Sequence, residues 1–234
     1  MKKIYTDAEA RTVILKIGRR MYDRRMVSAN DGNISVRTGT GRIWLTPSGV
    51  SKGFMSEDML VCVDSDGQVL EGTWKPSSES KMHLRVYREN PKVNAVVHAH
   101  PVTATAFAIA RVPLDLALMT ESVIGLGVVP VAPYATAGTD AVAESVAPYC
   151  REYHALLLAN HGALTWGGEA MQAYYRMESV EACAQVMLRL GLLNRPPQVL
   201  TARQRQELLD ARKNFGIHTG GVPRCAEDLE KDRQ

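Results

Sequence analysis

The sequence predicts a single α/β domain. Strand-like and helix-like segments mix along its whole length, no Pro/Ser-rich linker divides them, and no internal repeat is found. At 234 residues the chain is long enough to bury one substantial core. The domain is expected to span residues 1–219, with a charged, loose tail over 220–234.

The elements follow in order. Thr6 and Glu9 have the spacing of a capping box, which opens a helix from about Asp7 to Met26 with Val13, Ile14, Ile17 and Met21 as its apolar stripe. The Gly/Asn/Ser-dense stretch SANDGNISVRTGTGRIWLTPSG holds two short strand-like pieces, ISVR and RIWLT. MLVCVDSDGQVLEG is a second hairpin, turned at Asp66-Gly67. A helix is expected from Glu79 to Glu89, stopped by Asn90-Pro91. Then come a strand from Val93 to His100, a helix from Val102 to Ala110, and the strand fragment VVPVAPY. Thr139 should cap a helix through Tyr149, and Ala155 to Ala159 is a buried strand. The longest helix runs from Glu169 to Leu190 and stops at Gly191, and a last one covers about Ala202 to Lys213.

Composition excludes several function classes. A hydrophobic share of 45% and a charged share of 23% are those of an ordinary globular chain, and the net charge of +3 is mild. Lysines and arginines are scattered among acids, so no footprint for nucleic acid exists. MKKIYTDAEAR lacks the apolar stretch of a signal peptide, and no run approaches a membrane span. Cys62, Cys150, Cys183 and Cys225 are far apart and read as isolated thiols in a reducing cytoplasm.

Three histidines carry the chemistry. His98 and His100, in VVHAHP, are two apart on an expected strand, so they project from the same face. That is suitable geometry for two nitrogen ligands of one zinc ion. His161, in LLLANHG, ends a second apolar run just before Gly162. Two core strands that each end in imidazole need a common cause, and a metal supplies one. A fourth, carboxylate ligand is expected near a helix start, where KPSSES offers Glu79. Ser77 and Ser78 before it bring hydroxyls to a helix N-terminus, where backbone N–H groups favour an anion. Gly32-Asn33 in DGNIS and Ser48-Gly49 in LTPSG have similar equipment, and no nucleotide-binding fingerprint is present. His83, His154 and His218 lack this setting and are read as incidental.

GNIS, LTPSG, KPSSE, VVHAHP, APYATAGT and ANHGAL, in that order, resemble the zinc-dependent class II aldolase family, which includes sugar-phosphate aldolases, a 4-epimerase and the adducin head domain. The resemblance covers about residues 7 to 216. It implies an α/β/α sandwich around a central, largely antiparallel sheet, and a homotetramer. It places zinc on His98, His100 and His161, and on Glu79, the acid/base carboxylate, when substrate is absent. It places the phosphate seat on Gly32, Asn33, Ser48, Gly49, Ser77 and Ser78. The implied reaction is reversible cleavage of a ketose 1-phosphate, L-fuculose 1-phosphate or a related deoxypentulose 1-phosphate. The family's 4-epimerases usually carry Asp where this chain has Glu79, whereas its methylthioribulose-phosphate dehydratases share the Glu. An adducin-like interaction module is a non-enzyme alternative, against which the retained histidines argue. Two departures concern proton donors: no tyrosine lies between Tyr87 and Tyr134, and Phe215 stands where a C-terminal tyrosine is expected. Glu121 or Thr120 are the candidate replacements.

Overall fold

The capping box at Thr6 forms in the computed structural model of the chain, which describes residues 3–193 and 195–232. The Glu9 amide donates to Thr6 Oγ1 at 3.3 Å and the Thr6 amide donates to Glu9 Oε2 at 2.9 Å. Helix α1 (Asp7–Asp23) starts there and buries Ile14, Ile17 and Met21 completely. It stops three residues before Met26 because Arg25 turns left-handed, with φ 55°.

Both expected hairpins form: β1 (Asn33–Arg37) with β2 (Ile43–Leu45), and β3 (Val61–Val63) with β4 (Val69–Glu71). There follow α2 (Ser80–Glu89), β5 (Ala95–Ala99), α3 (Val102–Ala110), α4 (Thr120–Gly125), β6 (Val131–Ala132) and α5 (Asp140–Val146). Then come β7 (Ala155–Leu158), β8 (Gly162–Gly167), α6 (Ala170–Leu192), α7 (Ala202–Asn214) and α8 (Ala226–Lys231). Among the described residues the strands make one sheet of eight in the order β4-β3-β2-β1-β5-β8-β7-β6. Every pairing is antiparallel except β6 with β7.

The pleat gives the sheet two apolar faces. Ala95, Val97 and Ala99 of β5 face a core shared with α1, α3 and α6. Val96 faces a second core with Met82, Val86 and Tyr87 of α2 and Val142 and Val146 of α5. Helices therefore cover both sides, as the α/β/α sandwich requires.

Strand β8 was not expected from the sequence, because GALTWG follows the ANHG turn directly and is bounded by glycines. It is nonetheless central, paired with β5 from Ala95–Gly167 to Ala99–Ala163. The segment from Gly220, expected to be loose, is packed against the domain. The Gly220 carbonyl accepts from Val128 N–H at 2.7 Å, Arg224 bridges to Leu116, Cys225 is buried, and α8 follows. Backbone pairing holds this segment in place, and its charged composition does not reveal that. All four cysteines are free and buried, and no helix among the described residues is long and apolar enough to cross a membrane.

Candidate metal centre and active site

The register of the central strands brings the predicted residues together. Asn33 on β1 lies directly opposite His98 on β5, which is opposite Leu164 on β8. His98 is completely buried, and its Nδ1 donates to Ala163 O at 2.9 Å. That bond fixes the tautomer whose bare lone pair is on Nε2. Strand β5 ends at Ala99, so His100 lies one residue beyond it, with its amide donating to Met26 O at 3.0 Å. Its Nε2 still approaches His98 Nε2 to 3.0 Å, and the Asp31 carboxylate lies 3.4 Å from its Nδ1.

His161 arrives from the β7–β8 turn. Asn160 adopts φ 57° there, a left-handed conformation asparagine tolerates better than most residues, and Arg111 donates to its side-chain oxygen. The rings of His98 and His161 are 4.7 Å apart between centroids, and those of His100 and His161 are 5.0 Å apart. One ligand atom from each histidine lies within 4.8 Å of the others, a group able to hold a metal ion.

Glu79 closes the fourth side. It is the N-cap residue of α2 rather than part of the first turn, and its amide donates to Ser77 Oγ at 3.3 Å. Oε1 lies 3.1 Å from His161 Nε2, and Oε2 lies 3.3 Å from His98 Nε2. Burial raises the Glu79 carboxyl's pKa, but His98 and His161 outweigh it and hold the group well below the usual carboxylate range. Burial opposes charge on His98, yet the adjacent Glu79 carries its pKa above the usual value. His100 is pushed down to about 4, by burial first and then by the two other imidazoles. The centre thus holds its carboxylate charged.

The three predicted anion loops also meet. Ser48 N–H donates to Lys75 O at 2.9 Å, Ser77 N–H donates to Thr46 O at 3.3 Å, and Pro47 bridges to Pro76. Gly32 and Gly49 take the positive φ values of 75° and 78° that a residue with a Cβ resists. Gly138, from APYATAGT, faces Ser78, to which its Cβ would come within 3.7 Å. Asn33, expected in the phosphate seat, also reaches the candidate centre: its side-chain N–H donates to Glu79 Oε2 at 2.8 Å. Its carboxamide therefore steadies the carboxylate.

Sequence reasoning missed one residue that lies beside the centre. Asp31 beside His100 is signalled only by its place in DGN. His83, read as incidental, is buried one turn after Glu79, with Nδ1 2.7 Å from Ser35 Oγ, which in turn contacts Tyr87 OH at 2.8 Å. His154 is also buried, but it binds Thr219 O at the opposite end of the sheet. Thr120 and Glu121 bond each other on the surface.

The model of the Class II Aldolase and Adducin N-terminal domain family matches residues 12–188. The chain belongs to this family. It is a class II aldolase, and solved structures agree. An L-fuculose 1-phosphate aldolase superposes with a TM-score of 0.82 at 30% identity, covering 92% of this chain and 99% of that one. Among curated relatives, an L-fuculose phosphate aldolase of Methanocaldococcus jannaschii is 36% identical over 76% of this chain and 95% of its own length. A 5-methylthioribulose-1-phosphate/5-deoxyribulose-1-phosphate aldolase of Escherichia coli is 31% identical over 87% of this chain and 95% of its own. A 3-oxo-tetronate 4-phosphate decarboxylase of Haemophilus influenzae is 33% identical over 79% and 90%, respectively.

Gly162 explains how this aldolase admits His100. A Cβ there would come within 2.5 Å of Ala99 O and 2.6 Å of His100 Cδ2. The Ala99 carbonyl cannot retreat, since β5 and β8 are paired at this point, so the His100 ring has to give way. Gly162→Ala is expected to displace the His100 ring and weaken metal binding by about 10- to 100-fold, at a stability cost of about 1–3 kcal/mol. Metal titration with thermal denaturation checks this, and unchanged affinity would contradict it.

Proposed function

We propose that this chain catalyses zinc-dependent, reversible aldol cleavage of a ketose 1-phosphate, L-fuculose 1-phosphate or a related deoxypentulose 1-phosphate. The products are dihydroxyacetone phosphate and a small aldehyde. The observation that carries this reading is the convergence of three imidazoles on the buried Glu79 carboxylate, whose Oε1 has no hydrogen-bond partner. Orphaned lone pairs held at such spacing repel one another unless a cation sits among them. Neutral nitrogen donors with one carboxylate suit zinc, and His98, His100, His161 and Glu79 would hold it. When bound, zinc supplies Lewis-acid stabilisation of the negative charge left on the C2–C3 unit as the C3–C4 bond breaks.

The chain's own groups do the rest. Gly32, Asn33, Ser48, Gly49, Ser77 and Ser78 hold the phosphate through N–H and O–H donors, which fixes the substrate's register and brings C3 and C4 to the carboxylate. With substrate bound, the Glu79 carboxylate would be free to act as a base. Its Oε1 takes the C4-hydroxyl proton while Asn33 keeps Oε2 in place. As that proton leaves, the C4–O bond becomes the aldehyde carbonyl, and the bonding pair of C3–C4 stays on C3 until the protonated Glu79 returns the proton there.

This reading includes a homotetramer, a cytoplasmic location, and neither nucleic-acid nor membrane partners. Its test is condensation: purified protein with dihydroxyacetone phosphate and lactaldehyde, glycolaldehyde, acetaldehyde or a methylthio aldehyde, with metal content read by mass spectrometry. A ketose 1-phosphate product and one zinc per chain are expected. Loss of CO2 from 3-oxo-tetronate 4-phosphate, loss of water from methylthioribulose 1-phosphate, or epimerisation of a pentulose 5-phosphate, with no condensation, would replace the proposal with that activity.

A further inference from the structure

Lys52 is 2% exposed, an unusual position for an ammonium. It opens a short 3-10 turn (Lys52–Phe54) just after LTPSGVS, packed under α1. The fit is close: a Cβ on Gly18 would come within 2.7 Å of Lys52 O, and one on Gly53 within 2.4 Å of the Tyr22 ring. Burying this charge costs free energy unless something nearby uses it. Its Nζ donates to Asn30 O at 3.0 Å and to Val50 O. Asn30 lies two residues before Gly32, and Val50 directly follows Gly49. The lysine therefore stitches together the two glycine turns assigned to the phosphate, and an ammonium has a third N–H donor besides these two bonds.

We propose that Lys52 is a positioning residue for the substrate's phosphate: its buried ammonium ties the Asn30–Asn33 turn to the Ser48–Val50 turn and gives both a fixed positive charge. This rests on the phosphate seat of the proposed function. A cation shielded from water acts on a neighbouring anion with little screening. Burial lowers the ammonium pKa to about 8, against the pull of Asp31. Among the described residues the acid that acts on it is Asp31, while α1 meets this turn through Gly18 and Tyr22. The group is therefore charged at pH 7 and becomes neutral as pH rises through about 8. Because its unfolded value is higher, the fold gains stability over that rise, so any loss of phosphate affinity there is not unfolding.

The test compares the zinc-loaded wild type with Lys52→Met, which keeps the apolar stem. Inorganic phosphate affinity is measured by calorimetry and competitive inhibition at pH 7.5 and 9.5, an interval over which phosphate itself only gains dianion, which opposes the expected fall. Wild-type affinity should fall about tenfold or more over this interval, the effect of one charged hydrogen bond. The variant should be weaker by a similar factor at pH 7.5 and flat with pH. It should raise KM for dihydroxyacetone phosphate with little change in kcat, and its zinc content should match the wild type. A flat wild-type profile would overturn the proposal even if the variant failed to fold. So would a variant that binds phosphate normally or keeps the wild-type slope. A wild type that condenses aldehydes but binds no phosphate would remove the seat itself, and this inference with it.

Discussion

Glu79→Gln is expected to retain zinc and lose turnover by about 10²- to 10⁴-fold, the usual contribution of a positioned base. The amide keeps the size of the side chain. Its oxygen can accept from Asn33 Nδ2, as Glu79 Oε2 does at 2.8 Å. What it cannot do is take up a proton or offer a second anionic oxygen towards His98 and His161. Binding of substrate phosphate depends on other loops, so KM should change far less than kcat. Metal content by mass spectrometry and single-turnover cleavage separate the two effects. Turnover within a few-fold of wild type would remove Glu79 as the base. Loss of zinc in the variant would instead show that its carboxylate chiefly serves as a ligand.

Local chemistry made the candidate centre legible before its geometry was known. Imidazole in an uncharged core strand conflicts with burial unless it has a purpose, and the two-residue spacing of His98 and His100 gives that purpose a direction. The spacing also survived a small error: β5 stops at Ala99, yet His100 continues on the same side and its Nε2 reaches His98. Glycine was equally informative at Gly32 and Gly49, where positive φ leaves few alternatives. Helix limits read from caps and breakers held at Thr6 and at Asn90-Pro91, because those signals act within a few residues of themselves.

What escaped depends on pairing across the chain. Strand β8 is made a strand by β5 and β7 on either side, and nothing within GALTWG announces those partners. Asn33 reads as an anion donor, and nothing within DGNIS announces that its side chain also reaches Glu79. Only the β1–β5 register, which sets it opposite His98, turns its carboxamide to Glu79. Asp31 was missed for the same reason: its carboxylate lies beside His100, which another segment supplies. The stretch after Gly220 is charged and short, but backbone bonds to Val128, Asp115 and Leu200 hold it.

His98→Asn should abolish zinc binding while leaving the fold intact, and comparison with His98→Ala shows why both are needed. His98 is completely buried and has two tasks: Nδ1 donates to Ala163 O at 2.9 Å, and Nε2 faces the other imidazoles. Alanine removes both, leaving a buried carbonyl unpartnered and a cavity, at a cost of about 2–5 kcal/mol. Asparagine places an N–H where Nδ1 was and offers nothing where Nε2 was. Losing a direct ligand should exceed the roughly 10- to 100-fold loss of affinity that follows removal of a supporting partner. Linkage makes this visible without an activity assay: zinc at 100 times its dissociation constant stabilises the wild type by about 2.7 kcal/mol. For a domain of this size that is a rise in Tm of about 5–10 °C, reversed by a chelator. His98→Asn should melt near the zinc-free wild type and respond to neither zinc nor chelator, whereas His98→Ala should melt lower still. A zinc-induced rise in the asparagine variant equal to that of the wild type would mean that the ion binds elsewhere, and His98 would then be a core histidine satisfied by Ala163 alone.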